Sequence, residues 1–201
     1  MKQYLLLGAA SFVLCALLFS SRALSQGTLR DQVNKKGHGE TATFGNVFRR
    51  GSHSFSDLIR DTQIIAMGKI TEAHSRVTPD EESVVTHYRF QVYRTIKEQN
   101  HRVNVNDIIE FTGPGGKSSL QGAPVRTTPG DFPLLFPGAT YVLMFSPIPS
   151  SPRYHVEGAE FGVYKIEDDN SVHCAYGRGL KGTPCDKSLQ EFVQSIEQLV
   201  R

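Results

Sequence analysis

Two stretches, residues 64–73 (IIAMGKITEA) and residues 84–96 (VVTHYRFQVYRTI), decide the fold of this chain. The first is apolar on both faces before it begins to alternate, and the second alternates along its length, with Tyr88 and Phe90 on one face. A period of two is typical of a β-strand with one buried face. Gly68, inside the first stretch, predicts a bend where a sheet coils on itself.

Further apolar segments on either side of a polar excursion predict the rest of the sheet. Residues 107–112 (DIIEFT) and 140–145 (TYVLMF) are the third and fourth predicted strands, and the continuous apolarity of TYVLMF places it centrally. The excursion covers residues 117–131, with a brief edge strand expected at 125–127. The later predicted strands are residues 154–157, 161–167 and 171–175, and the last two form a hairpin through the turn at 168–170.

Two helices are expected to flank these strands. Residues 54–60 (SFSDLIR) begin with serines that can cap a short helix. Residues 187–200 carry apolar side chains at helical intervals, and Ser188 and Glu191 have capping-box spacing. The predicted fold is therefore mainly β: a small antiparallel, OB-like, partly closed barrel with a short N-terminal helix and an amphipathic C-terminal helix. A two-sheet sandwich is the alternative.

The N-terminal 25 residues have the pattern of an export signal. Lys2 precedes an uncharged apolar run at residues 4–19, and Ala23 and Ser25 are small residues at a cleavage site before Gln26. We therefore expect a signal peptide at 1–25, a mobile polar arm at 26–53 and a single domain at 54–201. An uncleaved anchor and a lipoprotein modified at Cys15 are weaker interpretations, because the run is short for a membrane span and Cys15 lies inside it.

Removal of the signal leaves two cysteines, Cys174 and Cys185, in an exported chain. Such a pair most simply forms a structural disulfide. The segment between them, CAYGRGLKGTPC, contains glycines and a proline and can turn back on itself. Closing so short a loop stabilises the folded state by about 3 kcal/mol in the chain-entropy model.

Charge and motif spacing exclude several functional classes. The chain has 22 basic and 20 acidic residues, and the signal carries two of the bases and no acid, so the mature chain is balanced and has no global field for nucleic acid. Gly116-Lys117-Ser118 lacks the earlier glycine of a phosphate-binding loop. The best histidine pair, His74 and His87, would face each other only if a bulge shifted the register set by Ile70 and Phe90. We expect no cofactor, no metal ion and no local catalytic motif.

The segments IIAMGKITEA, YRFQVYRTIKE, DIIEF and FPGATYVLMF resemble a diffuse group of exported bacterial proteins that are similar to netrin and tissue-inhibitor-of-metalloproteinases modules. The resemblance covers residues 54–166 and implies the small OB-type barrel and a binding role. Those inhibitors carry a cysteine at the mature N-terminus, whereas Gln26 would be first here. The resemblance therefore implies no site residue and no zinc-directed inhibition.

Three functional hypotheses follow. The first is a non-catalytic exported binding or inhibitor-like module, periplasmic or extracellular, whose partner is a protein or a glycan bound by the Tyr-, Phe- and Pro-rich loops of residues 132–154. Neither nucleic acid nor stable membrane insertion is expected after signal cleavage. The second is an envelope-associated structural protein docked through the arm at residues 26–53. The third is a hydrolase whose Ser, His and Asp converge from distant positions.

Overall fold

A computed structural model describes residues 27–43, 54–100, 103–177 and 179–201. The predicted signal at residues 1–25, with Cys15, and residues 44–53 of the predicted arm lie outside the described residues. The described α-helices are α1 (Leu29–Lys36), α2 (Phe55–Asp61) and α3 (Leu189–Val200), and short 3-10 helices cover Ala159–Gly162 and Ala175–Gly177. The described strands are β1 (Gly39–Thr43), β2 (Ile64–Val77), β3 (Val84–Glu98), β4 (Ile108–Pro114), β5 (Gly116–Leu120), β6 (Ala123–Pro129), β7 (Thr140–Pro147), β8 (Tyr154–Val156), β9 (Val163–Ile166), β10 (Ser171–Cys174) and β11 (Lys187–Ser188).

Five of these strands close into a barrel. β2 pairs with β3 and β7, β3 pairs with β4, and β8 completes the circle by pairing with both β4 and β7. The β4–β8 contact is parallel and the others are antiparallel. The last barrel strand thus lies between the third and the fourth, as in OB-type barrels. The predicted fold class is confirmed, and the sandwich alternative is wrong.

Aromatic side chains fill the barrel interior. Tyr88 stacks on Phe111 with ring centroids 5.1 Å apart, and Phe111 meets Phe145 edge-on at 5.3 Å. These rings come from β3, β4 and β7, so they tie together strands that are distant in sequence. The other buried members of this core are Ile64, Ala66, Ile70, Phe90, Val92, Val103, Ile109, Phe132, Leu135, Tyr141, Leu143, Val156 and Val163.

Gly68 stands where β2 bends around this core. A Cβ atom at this position would lie 2.1 Å from the carbonyl oxygen of Gln91 and 2.8 Å from the ring of Phe90. The β2–β3 register shifts between Met67 and Gly68. The predicted bend is therefore a site where only a residue without a side chain lets the two backbones approach.

A second core lies outside the barrel wall. β9 and β10 extend the sheet from β7, and helices α2 and α3 cover its outer face. Phe55 and Phe192, one from each helix, contact each other at 5.9 Å and both pack on Tyr164, at 6.2 and 4.7 Å. The predicted capping box of α3 is present, with Ser188 accepting from the Glu191 backbone N–H at 3.3 Å.

The expectation of a loose arm over residues 26–53 is wrong for residues 29–43. Thr28 and Asp31 form a capping box that starts α1, and Leu29 is buried beside Val84 and Val125. β1 then pairs in parallel with β6, in a three-stranded sheet with β5. Local composition could not reveal this, because the partner strand lies more than 80 residues away along the chain. The polar excursion at 117–131 is accordingly the β5–β6 hairpin.

No helix in the described part of the chain is both long enough and apolar enough to cross a bilayer.

Candidate functional site

The loop of residues 132–137 crosses one mouth of the barrel and is held there by two tyrosines. Phe132 and Leu135 are buried in the barrel core. The Leu135 backbone N–H donates to the Tyr88 hydroxyl at 3.4 Å, and the Phe136 N–H donates to the Tyr141 hydroxyl at 3.1 Å. Burial raises the pKa of both tyrosines, so both phenols stay neutral at physiological pH. Barrel residues thereby fix the path of the loop.

This loop forms one wall of an apolar cavity, which we call the Phe136 cleft. Its floor is a row across three strands, in which Tyr141 of β7 lies opposite Lys165 of β9, and Lys165 lies opposite His173 of β10. The cavity has a volume of about 240 Å³, and the Phe136 side chain at its edge is 62 % exposed. The remaining lining residues are Pro133, Leu134, Leu135, Val163, Cys174 and Ala175.

The predicted cysteine pair stands beside this cleft. The Cys174 and Cys185 sulfurs are joined in a disulfide, and the Cα atoms lie 5.4 Å apart, within the usual range for such a bond. Cys174 lines the cleft, and Cys185 belongs to the loop that leads into β11 and α3. The bond therefore joins the lining of the cleft to the loop before the C-terminal helix.

A serine, a histidine and a carboxylate meet at the rim of the same cleft. Ser171 Oγ lies 3.0 Å from His173 Nε2, and His173 Nδ1 lies 2.7 Å from Asp186 Oδ1. Ser171 and His173 are two positions apart on β10 and share its cleft-facing side. Asp186 follows Cys185, and its N–H donates to the Val172 carbonyl at 2.8 Å. Sequence reasoning did not identify this group, because its acid is brought to β10 by the disulfide loop.

The chemistry open to this group is limited by a fourth residue and by water. The Ser171 hydroxyl also donates to Asp169 Oδ1 at 2.6 Å, and this bond lowers the pKa of the Asp169 carboxyl. The Asp186 side chain is 73 % exposed and that of His173 is 46 % exposed. Exposed polar contacts of this kind contribute little energy individually. The arrangement ties β10 to the disulfide loop, and it offers a nucleophile only when the serine turns its proton from Asp169 to His173.

The His74 and His87 pair has a different geometry from the predicted one. The register places Ile70 opposite Phe90, as predicted, but a bulge between Ile70 and Glu72 then sets His74 directly opposite His87. The two rings bond to different partners, Glu72 and Thr112. Among the described residues, no group of three or more His, Cys, Asp or Glu side chains is arranged to hold a metal ion.

Gly116-Lys117-Ser118 is the beginning of strand β5. A phosphate-binding loop would lead into a helix whose N-terminal N–H groups face the phosphates. The described structure therefore agrees with the sequence in placing no such loop here.

No family model matches this chain, and no curated protein or solved structure matches it either.

Proposed function

We propose that this chain is an exported, non-catalytic binding module that holds an extended apolar segment of a partner protein in the Phe136 cleft. The observation that carries the proposal is the exposure of Phe136 above an apolar cavity while its own backbone is bonded to Tyr141. A large apolar side chain held in water by a rigid loop is typical of recognition sites, where it becomes buried in the complex.

The lining of the cleft favours a protein segment over a glycan. One proline, two leucines, one valine and one alanine form half of the lining, and Lys165 is already paired with Glu167 at 2.7 Å. Sugars need several polar groups aimed at their hydroxyls, whereas apolar side chains of a peptide gain from burial alone. The OB-type strand order and the resemblance to inhibitor-like modules support a binding role, and the cysteine pair and the signal-like N-terminus support export.

A photo-crosslinking experiment tests this proposal. The photoreactive amino acid p-benzoylphenylalanine is placed at position 136 and, as a matched control, at position 105, where Val105 is 58 % exposed away from the cleft. Each protein is irradiated with a library of apolar peptides and with the extracytoplasmic fraction of its host. We expect saturable, competable products from position 136 only. Equal labelling from both positions, or none from position 136, contradicts the proposal.

A hydrolase is a second candidate, which the distances among Ser171, His173 and Asp186 favour. In this reaction Ser171 Oγ bonds to an ester carbonyl carbon while its proton passes to His173 Nε2. The alcohol leaves with that proton, and water then releases the acid and restores the serine hydroxyl.

Labelling with a fluorophosphonate separates this candidate from the binding module. A hydrolase predicts covalent modification at Ser171, lost in Ser171→Ala and in His173→Asn. If the native protein is not labelled, or if the Ser118→Ala and Ser171→Ala variants are labelled equally, the hydrolase is rejected. The matched control Ser118 lies on β5, in the other sheet.

The envelope-associated alternative depended on a free arm. Residues 29–43 of that arm pack on the chain's own β5–β6 hairpin and on Val84, so they are already occupied. The proposal therefore does not use the arm.

A further inference from the structure

The outer face of β2, β3 and β4 lies apart from the Phe136 cleft and carries two rows of polar side chains. In one row, Glu72, Arg89 and Glu110 lie opposite one another across the three strands. In the next row, His87 lies between His74 and Thr112. The bulge after Ile70 brings His74 and Glu72 into these rows.

The carboxylates of the first row are already paired. Arg89 Nη1 lies 2.7 Å from Glu72 Oε1, and Arg89 Nε lies 3.5 Å from Glu110 Oε1. His74 Nε2 is 3.3 Å from the other oxygen of Glu72. Both acids on this face are therefore paired with Arg89, and Glu72 also contacts His74 of the second row.

His87 is only half satisfied. Its Nδ1 lies 3.1 Å from the Thr112 hydroxyl oxygen, while its Nε2 is buried and has no hydrogen-bond partner in the described part of the chain. Buried polar atoms are nearly always bonded to protein or to ordered water, so this ring nitrogen is available to a further hydrogen-bond partner. If Thr112 donates to Nδ1, the ring carries its proton on Nε2 and presents a donor.

Two arginines lie near His87 on the outer face of the barrel. Arg76 lies on β2 opposite Val85, two residues from His87, and Arg153 immediately precedes Tyr154, which pairs with Phe111 beside Thr112. Both guanidiniums are exposed, and neither has an ion pair within the described ranges. After burial, which is the largest cause, the charges of Arg76 and Arg153 lower the pKa of His87, so both reach the imidazole electrostatically.

We propose that this face binds an oxyanion between Arg76 and Arg153, with His87 Nε2–H donating to it. Guanidiniums bind sulfate, phosphate and carboxylate through paired N–H groups, and a neutral imidazole supplies one further donor without added charge. The ligand class is a soluble molecule bearing one such group. The site, which we call the His87 anion site, uses no residue of the Phe136 cleft and stands or falls independently of the proposed function.

The site makes a prediction about proton binding at His87. The charged or titratable groups that face this ring are His74, Arg76, Glu110 and Arg153. An anion between the arginines offsets the charges that disfavour the imidazolium, so binding raises the pKa of His87. A purely structural histidine would show no such coupling.

The experiment follows the histidine ring signals of the full chain by NMR while sulfate, phosphate or acetate is added. Sodium chloride at matched ionic strength is the reference. We expect a saturable shift and a raised pKa at His87, with no saturable change at His173 beside the cleft. Sulfate and acetate distinguish a preference for tetrahedral anions from a preference for carboxylates.

Matched arginine variants complete the test without altering the core. Arg76→Gln and Arg153→Gln should each weaken binding about tenfold. Arg126→Gln, on the exposed face of β6, should leave it unchanged. A His87 response that is linear, that chloride reproduces, or that survives both substitutions overturns the proposal.

Discussion

Strands β7 and β3 belong to the same barrel and differ in how many of their faces are covered. β7 is buried at six consecutive positions, because the barrel core covers Leu143 and Phe145 while the outer core covers Val142 and Met144. β3 alternates, with Tyr88 and its neighbours inside and polar side chains outside. The outer layer of β9, β10 and the helices stops before it reaches most of β3.

This difference teaches where each kind of site can form. A strand covered on both faces supplies stability and cannot display titratable groups without a large desolvation cost. A strand with one wet face can carry His87 and Arg89 at the surface of a rigid barrel. The Phe136 cleft lies at the edge of the outer layer, between strands that are covered on both faces and strands that are covered on one.

The largest expected effect tests the covered face of β7 directly. Met144→Ala should lower the free energy of unfolding by about 3–4 kcal/mol, because it opens a cavity in a fully buried position. Gln91→Ala, on the outer face of β3, should change it by less than about 0.5 kcal/mol. Urea denaturation of both variants measures the contrast. Similar losses for the two would mean that the outer layer contributes no packing to β7.

The disulfide that closes the outer core comes next. Replacing both Cys174 and Cys185 by alanine should cost about 3 kcal/mol, since the open loop regains entropy in the unfolded state. Mass spectrometry with alkylation, before and after reduction, confirms the bond first. A double variant that is as stable as the native chain would show that the bond does not stabilise the fold by restricting the unfolded state.

A third effect concerns Lys97, near the end of β3, where the outer layer begins to cover the strand. Its buried Nζ donates to the carbonyls of Ile59, Arg60 and Thr62 at 2.5, 3.1 and 2.6 Å and so caps the end of α2. Lys97→Met keeps the apolar stem and orphans these acceptors, and it should cost about 2 kcal/mol.

Thermal denaturation compares this variant with Lys69→Met, on the half-buried part of β2, as its control. An equal small change in both variants would contradict the capping role of Lys97.

The smallest expected effect is the pH dependence of stability that comes from His87 on the solvent-exposed face of β3. The pKa of His87 is lowered from its ordinary value of 6.5, first by burial and then by Arg76 and Arg153. As pH falls below 6.5, the unfolded chain binds a proton before the folded one does, so stability declines. In anion-free buffer, unfolding measured from neutral to mildly acidic pH should show a shallower slope in His87→Gln. An unchanged slope would assign the pH dependence to other groups.

Much of the barrel could be predicted because each of its strands has a recognisable local sequence pattern. Burial produces the alternation in β3 and the unbroken apolarity of β7. The capping box of α3 marks the start of that helix. Each of these patterns can be read within a few residues. The pairing of β1 with β6 could not be predicted, since neither segment has a strong apolar pattern and more than 80 residues separate them. The bulge after Ile70 was equally hidden, and it alone decides that His74 faces His87.

The candidate site was predicted only as a region. The aromatic and proline content of residues 132–154 indicated recognition loops, and Phe136 lies among them. The hydrogen bonds from this loop to the Tyr88 and Tyr141 hydroxyls form only when the barrel closes, and no residue spacing in the sequence predicts them. The Ser171, His173 and Asp186 group depends in the same way on the folded disulfide loop.

The amino-acid sequence by itself determined the five barrel strands, the two helices of the outer core and the cysteine pair, because periodic burial, capping and covalent chemistry act over short distances. Only the tertiary structure decided which strands are covered on one face or on both, and hence where polar side chains meet. Closure of the barrel imposes those contacts, since it brings together residues whose local sequences carry no information about one another.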